Sequence, residues 1–182
     1  AMEARGVDFF LDVHGDEAIP FGFFAGNEGI PNWGPRLRAL HGAFVGAYCR
    51  ANADVQAVFG YEPDPPLGSN PAVGPDQVGR RFDCLAVILE MPFKDIPAFK
   101  AGGVEREARC GERGFDGERC AALGASLLDA VAYVRSSLRG VPEPRFEWPD
   151  DAYVRPTDDR AALDAFVAGG ESKVAVEAYL AR

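Results

Sequence analysis

Two short stretches carry side chains able to do chemistry. In the first, Phe9-Phe10-Leu11-Asp12-Val13-His14-Gly15-Asp16-Glu17, an apolar run ends in Asp-x-His-Gly. The glycine lets the chain leave the strand. An imidazole is thereby presented at a buried strand end beside carboxylates, a common way to hold zinc. Asp12 or Asp16 can accept the second ring N–H and set the tautomer. His14 and Glu17 also have the H-x-x-E spacing that can chelate a metal, although a strand-to-loop turn does not guarantee the geometry. The second stretch, Leu85-Ala86-Val87-Ile88-Leu89-Glu90-Met91-Pro92-Phe93, is an apolar run with a single acid. A charge in such a run is costly to bury without a partner or a task. Glu90 shares one strand face with Ala86 and Ile88, which makes it a candidate general base with its pKa set by a metal and partial burial. The bland alternatives are a structural histidine and a glutamate at the sheet rim.

Other residues are weaker candidates. Arg80 and Arg81 precede the Glu90 strand and read first as a solvated pair at a helix end. His41, the second of two histidines, falls inside a helical pattern and reads as a solvated or half-buried helix residue. Trp33 reads as a packing anchor. Tyr48, Tyr61 and Tyr133 offer no basis for choosing a proton-transfer tyrosine. The cysteines, Cys49, Cys84, Cys110 and Cys120, form no C-x2-C pair, so a thiolate zinc site is not expected. They are too sparse for a disulfide framework and read as reduced thiols of a cytoplasmic protein.

These residues need elements to position them. Residues 7–13 read as a strand buried on both faces, 21–25 as a second short strand, and 83–91 as another, stopped by Pro92. Leu37, Leu40, Phe44, Val45 and Tyr48 recur at three-to-four spacing and predict an amphipathic helix over 35–51. Residues 55–61 read as a short strand, 62–75 as a proline-rich irregular loop, and 76–82 as one or two helical turns. The polar, glycine-rich segment 94–117 reads as a surface excursion. Leu123, Leu127, Leu128, Val131, Val134 and Leu138 predict a second long helix over 117–138. A helix over 157–168, capped at Thr157, and a last short helix follow. Alternating strands and helices predict an α/β fold, a mixed sheet with helices on both faces. Residues 1–140 form that domain, and 141–182 are a proline-containing linker and helical extension. Sites in open sheets of this kind sit in loops at strand ends.

Composition sets outer limits. The 182 residues are 47% hydrophobic, enough for a core. A net charge of −9 disfavours nucleic acid and anionic membrane surfaces as partners. No apolar run is long enough to span a bilayer, and no signal peptide is visible.

Four segments together carry a resemblance. They are residues 9–20, ending Asp-Val-His-Gly-Asp-Glu-Ala-Ile-Pro; Phe23-Phe24-Ala25-Gly26-Asn27-Glu28-Gly29; Gln77-Val78-Gly79-Arg80-Arg81-Phe82-Asp83-Cys84-Leu85; and Leu89-Glu90-Met91-Pro92-Phe93-Lys94-Asp95. Over about residues 5–138 the chain resembles the C-terminal half of bacterial zinc carboxypeptidases of the M14 family, in the cytosolic carboxypeptidase branch. The resemblance implies that His14 is the third zinc ligand and Glu90 the catalytic base. It implies a peptide or protein C-terminus as substrate. It would also make Arg80 and Arg81 a cationic wall for acidic side chains, given the branch's preference for glutamate-ending peptides. The family's other zinc ligands and its substrate-carboxylate residues lie upstream of the matched strand. The resemblance therefore implies zinc in the complete enzyme, weak or absent zinc in this chain alone, and no activity for the chain alone.

Two alternatives stay open. One is a non-catalytic α/β module for binding or assembly. The other is a zinc deacylase of the succinylglutamate desuccinylase and aspartoacylase type, with His14 and Glu17 as ligands and His41 as the only further histidine. Half a sheet also leaves apolar faces to cover. The expectation is either a homodimer or a cover formed by 151–182, with Leu163, Phe166 and Val167.

Overall fold

The computed structural model describes residues 2–19, 21–57, 59–93, 99–101, 104–106 and 115–139. The expected helix at 157–168, the extension 141–182 and the proposed C-terminal cover lie outside the described residues. The elements in chain order are α1 (Met2–Arg5), β1 (Phe9–Asp16), β2 (Phe23–Ala25), α2 (Pro35–Ala51), α3 (Gly74–Phe82), β3 (Leu85–Pro92), β4 (Phe99–Ala101), β5 (Val104–Arg106) and α4 (Gly117–Val134), the last running into a 3-10 turn at Arg135–Ser137. No helix among the described residues is long and apolar enough to cross a membrane.

The main sheet has the order β1-β3-β2. β1 runs parallel to β3, with Phe9 opposite Leu85 and His14 opposite Glu90. β2 runs antiparallel to β3, with Phe23 opposite Glu90 and Ala25 opposite Ile88. The sheet is therefore mixed. β4 and β5 form a separate antiparallel hairpin. This hairpin stands within the segment 94–117 expected to be a surface excursion.

Helices cover both faces. Alternation sends Leu85 and Val87 to one side, where they join Leu37, Leu40, Phe44 and Tyr48 of α2 and Leu123 and Val134 of α4 in the buried core. Phe9 follows the same side, its ring 5.1 Å from that of Phe44. Ala86 faces the other way, toward α3: a Cβ built on Gly79 would lie 3.3 Å from the Ala86 Cβ. Phe10, paired with Ala86, points the same way and lies under Gly74 at the start of α3. Glu90, Ile88, Asp12 and His14 have this same parity.

Local chemistry sets the helix ends. Pro35 sits in the first turn of α2, where its missing N–H costs nothing. Asn52 ends that helix by donating its N–H to the Tyr48 carbonyl, 2.8 Å away. Asp116 caps α4, accepting from the amides of Glu118 (3.1 Å) and Arg119 (3.0 Å). α3 stops at Asp83, which adopts the left-handed conformation at φ 50°. There its carboxylate is held by Asn32 Nδ2 at 2.9 Å and Arg36 Nη2 at 2.8 Å. α2 and α4 are joined by the Tyr48 hydroxyl, which donates to the Leu123 carbonyl, and by Asn52 Nδ2 donating to Ser126 Oγ at 3.2 Å.

β1 differs from expectation. It is half-buried rather than buried on both faces, and Val13 is 53% exposed. The reason is position: among the described residues β1 pairs only with β3, so its outer edge carries no strand. β3, flanked on both sides, is buried along nearly all of its length. The strand expected at 55–61 is reduced to a single bridge between Val55 and Gly22. The Gln56 side chain replaces a ladder there. Its Nε2 donates to the carbonyls of Gly22 (3.3 Å) and Phe59 (2.8 Å), and its Oε1 accepts from the Phe59 amide at 2.6 Å.

Candidate active site

The carboxyl end of the β1–β3 pair brings together the two residues singled out first. His14 and Glu90 are register partners on adjacent parallel strands, so their side chains leave the sheet side by side on one face. His14 is 56% exposed, and its Nε2 lies 3.2 Å from Asp12 Oδ1. Asp12, two residues back on the same face, is thus the carboxylate that orients the ring.

Asp16 has a different task. Its Oδ1 accepts the amides of Ala18 and Ile19, each at 2.5 Å, and its Oδ2 accepts the hydroxyl of Tyr61. The buried carboxylate thereby ties down the turn after β1 and anchors a tyrosine from a distant loop.

Glu90 is only 5% exposed. Burial is the main force pushing its carboxyl above the usual glutamate range, and the negative charges of Asp16 and Asp12 push the same way. His14 and a hydrogen bond with Tyr61 pull it back. Tyr61 is in turn pushed well above the ordinary phenol value, first by burial and then by its bonds to the carboxylates. Its ring stands edge-on to Phe23, centroids 5.0 Å apart, and Phe23 is the β2 partner of Glu90. Glu90 therefore sits among an imidazole, a phenol and two further carboxylates, with its proton held more firmly than on a solvated glutamate.

Tyr61 is the residue that sequence reasoning left undecided. Nothing local marks it, because its partner Asp16 lies far away in the chain. The only available signal was its place immediately before the proline-rich loop.

A cavity of about 600 Å³ lies beside this cluster. Phe23, Ala25, Ile88 and Tyr61 form part of its wall, and Glu28, Glu62, Asp64, Asp76 and His41 also face it. Arg80 and Arg81 do not line it. Both are exposed in the last turn of α3, and Arg81 Nη2 pairs with Glu3 Oε1 at 2.6 Å. Among the described residues, then, these two arginines form no wall of this cavity, because the last turn of α3 points them outward.

His41 is a half-buried residue of α2, as expected. Its ring stands edge-on to Trp33 with centroids 5.9 Å apart, and its Nδ1 faces Glu28 Oε1 at 4.0 Å. Among the described residues no three metal-ligating side chains converge. His14, Glu17 and His41 thus do not assemble the site that the deacylase reading needs. His14 contributes one oriented nitrogen, which suits a metal held jointly with other ligands.

No family model matches the chain. An uncharacterized protein of Zymomonas mobilis is 38% identical over 134 residues, which span 71% of this chain and 34% of that protein. Among solved structures, a metallo-carboxypeptidase from Pseudomonas aeruginosa, in complex with (2-guanidinoethylmercapto)succinic acid, matches with a TM-score of 0.65 and 37% identity, covering 76% of this chain and 34% of that one. A putative carboxypeptidase A from Shewanella denitrificans matches at 0.63 and 40%, covering 74% and 34%. A metallo-carboxypeptidase from Burkholderia cenocepacia matches at 0.61 and 34%, covering 74% and 33%. The chain spans about a third of the length of these four proteins.

Proposed function

We propose that this chain, which carries part of the metallo-carboxypeptidase fold, supplies the proton-transfer carboxylate and one metal-binding imidazole of a peptidase. The reaction is removal of the C-terminal residue of a peptide or protein. The observation that carries this reading is the single rung pairing exposed His14 with buried Glu90 at the carboxyl end of parallel strands. A general base and a metal ligand must reach the same water, and adjacent residues in register do so without any adjustable loop between them.

The donor chemistry fits zinc in part. His14 offers a neutral ring nitrogen oriented by Asp12, whereas a catalytic zinc takes three protein ligands. Zinc held with ligands from elsewhere in a complete protein would polarise the scissile carbonyl and acidify a bound water. The chain's own residues do the rest. Glu90, with its proton affinity raised by burial, accepts a proton at its carboxylate and returns it to the leaving amine. Tyr61 holds that carboxylate through its hydrogen bond and is itself anchored on Asp16.

The test is release of C-terminal amino acids, followed by mass spectrometry, with the full-length gene product and added zinc. The chain alone is expected to release none. In the full-length protein, Glu90→Gln should lower kcat by roughly 10²–10⁴-fold, and His14→Ala should lower zinc content and activity together. A Glu90→Gln protein that keeps its kcat would refute the assignment. Full-length protein without zinc or hydrolysis would favour a binding or assembly module.

A further inference from the structure

Arginine is unevenly placed in this acidic chain, whose net charge is −9. A basic surface lies at the amino ends of β1 and β3. Arg139 pairs there with Asp8, and its Nη2 donates to the Arg5 carbonyl at 3.3 Å. Arg81 pairs with Glu3 at 2.6 Å and Arg36 with Asp83 at 2.8 Å. Each of these three arginines has one acid. Arg5, Arg80 and Arg135, close to them along the chain, are exposed and have no ion pair among the described residues. We propose that the acidic segment 143–151 of this same chain docks on the surplus arginines. It thereby holds the C-terminal extension at the end of the sheet opposite the His14–Glu90 rung. Docking of this kind needs no peptidase activity and stands apart from it.

Charge is the first argument. The segment reads Glu143-Pro144-Arg145-Phe146-Glu147-Trp148-Pro149-Asp150-Asp151, four acids against one arginine. Arginine suits such a partner, because its planar fork offers paired N–H donors to a carboxylate.

Attachment is the second argument and is independent of charge. The segment lies outside the described residues, but the point it leaves from does not. Arg139, where the described chain ends, belongs to the basic surface itself. Glu143 follows four residues later. Acids on so short a tether are held at high local concentration beside Arg5 and Arg135. Each exposed pair is weak alone, and several on one tether act together.

Reach alone does not choose the place. β1 has eight residues, roughly 25 Å at about 3.3 Å per residue. The twelve residues from 140 to 151 span up to about 40 Å when extended. The segment is therefore long enough for either end of the sheet, and charge decides between them. The carboxyl end presents Asp12, Asp16 and Glu17, with Glu28 and Asp64 around the cavity beside it. Like charges repel the segment there, and guanidinium groups attract it at the other end.

Trp148 lies within the segment, and the chain's other tryptophan is Trp33. In a Trp33→Phe chain, the fluorescence anisotropy of Trp148 therefore follows the segment. It should be high at low salt. It should fall as salt rises from about 0.01 M to about 1 M, where the screening length shortens from about 30 Å to about 3 Å. Arg5→Glu with Arg80→Glu should give the low value at low salt. Adding Asp150→Lys and Asp151→Lys to that pair should restore part of the anisotropy. A second measurement leaves both tryptophans in place. At one low salt concentration, a glutamate-specific protease should cut after Glu143 and Glu147 at least about threefold more slowly in the unsubstituted chain than in the Arg5→Glu, Arg80→Glu chain. The cut sites are identical in the two.

Loss of docking on reversal of the arginines, with recovery on the charge swap, upholds the assignment. Equal anisotropy and equal cleavage in all chains overturn it. High anisotropy that survives about 1 M salt points to an apolar seat and also overturns it. So does anisotropy that rises with protein concentration, since the occupant would then be the segment of a second copy.

Discussion

Removing Arg119 should be among the most damaging single changes in this chain. The guanidinium reaches from α4 to the loop after α2, where Nε donates to Asp54 Oδ2 at 2.9 Å and Nη2 to Oδ1 at 2.5 Å. The Asp54 side chain is 10% exposed and that of Arg119 20%. Truncating one partner of a fully buried pair costs about 3–5 kcal/mol, because the other charge is stranded. A fully exposed pair contributes about 0.2–1 kcal/mol. This pair lies nearer the buried limit, so Arg119→Ala should cost roughly 2–4 kcal/mol. Asp54→Ala should cost less, since the longer arginine can swing its head group to water. Urea unfolding of the two single variants and the double variant gives the coupling, expected at about 1–3 kcal/mol. The damage should reach the site. The Asp54 carbonyl lies against Gly22, where an added Cβ would sit 2.7 Å away, and Val55 bridges the same glycine. The loop that continues from there carries Gln56, Phe59 and Tyr61. An Arg119→Ala chain within about 0.5 kcal/mol of wild type, or an Asp54→Ala chain that is the weaker of the two, would refute this reasoning.

Two further outcomes follow from close packing and from charge. Gly79→Ala places a methyl 2.1 Å from Asn27 Nδ2 and 3.3 Å from Ala86; despite the gain in helix propensity it should lower stability by roughly 1–3 kcal/mol in thermal unfolding. Glu90→Gln should change the pH dependence of stability. Because the folded chain binds the Glu90 proton more tightly than the unfolded chain, stability falls as pH rises from the ordinary glutamate value through the raised one. The Gln variant should therefore gain on wild type as pH rises above the ordinary glutamate value, and stability curves that stay parallel there would contradict the burial argument.

The legible parts of the fold are those in which one element's own pattern decides its state. The span 35–51 reads as a helix because Leu37, Leu40, Phe44 and Tyr48 make a stripe behind Pro35, and α2 has those bounds. The Glu90 strand reads correctly because its residues are buried on both sides. β1 misleads because its composition matches that of an interior strand, and only the neighbours of a strand decide whether it is covered. The pairing of His14 with Glu90 rested on a family resemblance, since neither residue's surroundings point to the other. Tyr61 and the acid-lined cavity were not legible for the same reason. Asp16 and Tyr61, or Glu28 and Asp76, meet only when loops distant in the chain are folded together. The outward turn of Arg80 and Arg81 depends on a helical phase that two adjacent arginines do not announce.

The parallel register of β1 and β3 also governs how the protein assembles. Joining residue 9 to residue 85 closes a loop of roughly 75 residues, and the entropy of that closure must be met before any of the pairing is gained. α2 forms from contacts close along the chain, while the rung holding His14 and Glu90 belongs to this late, non-local step. A nascent or partly unfolded chain can thus carry its helices without bringing these two side chains together. The His14–Glu90 rung and the non-local β1–β3 pairing form together, so helices formed ahead of the sheet do not expose a half-built site.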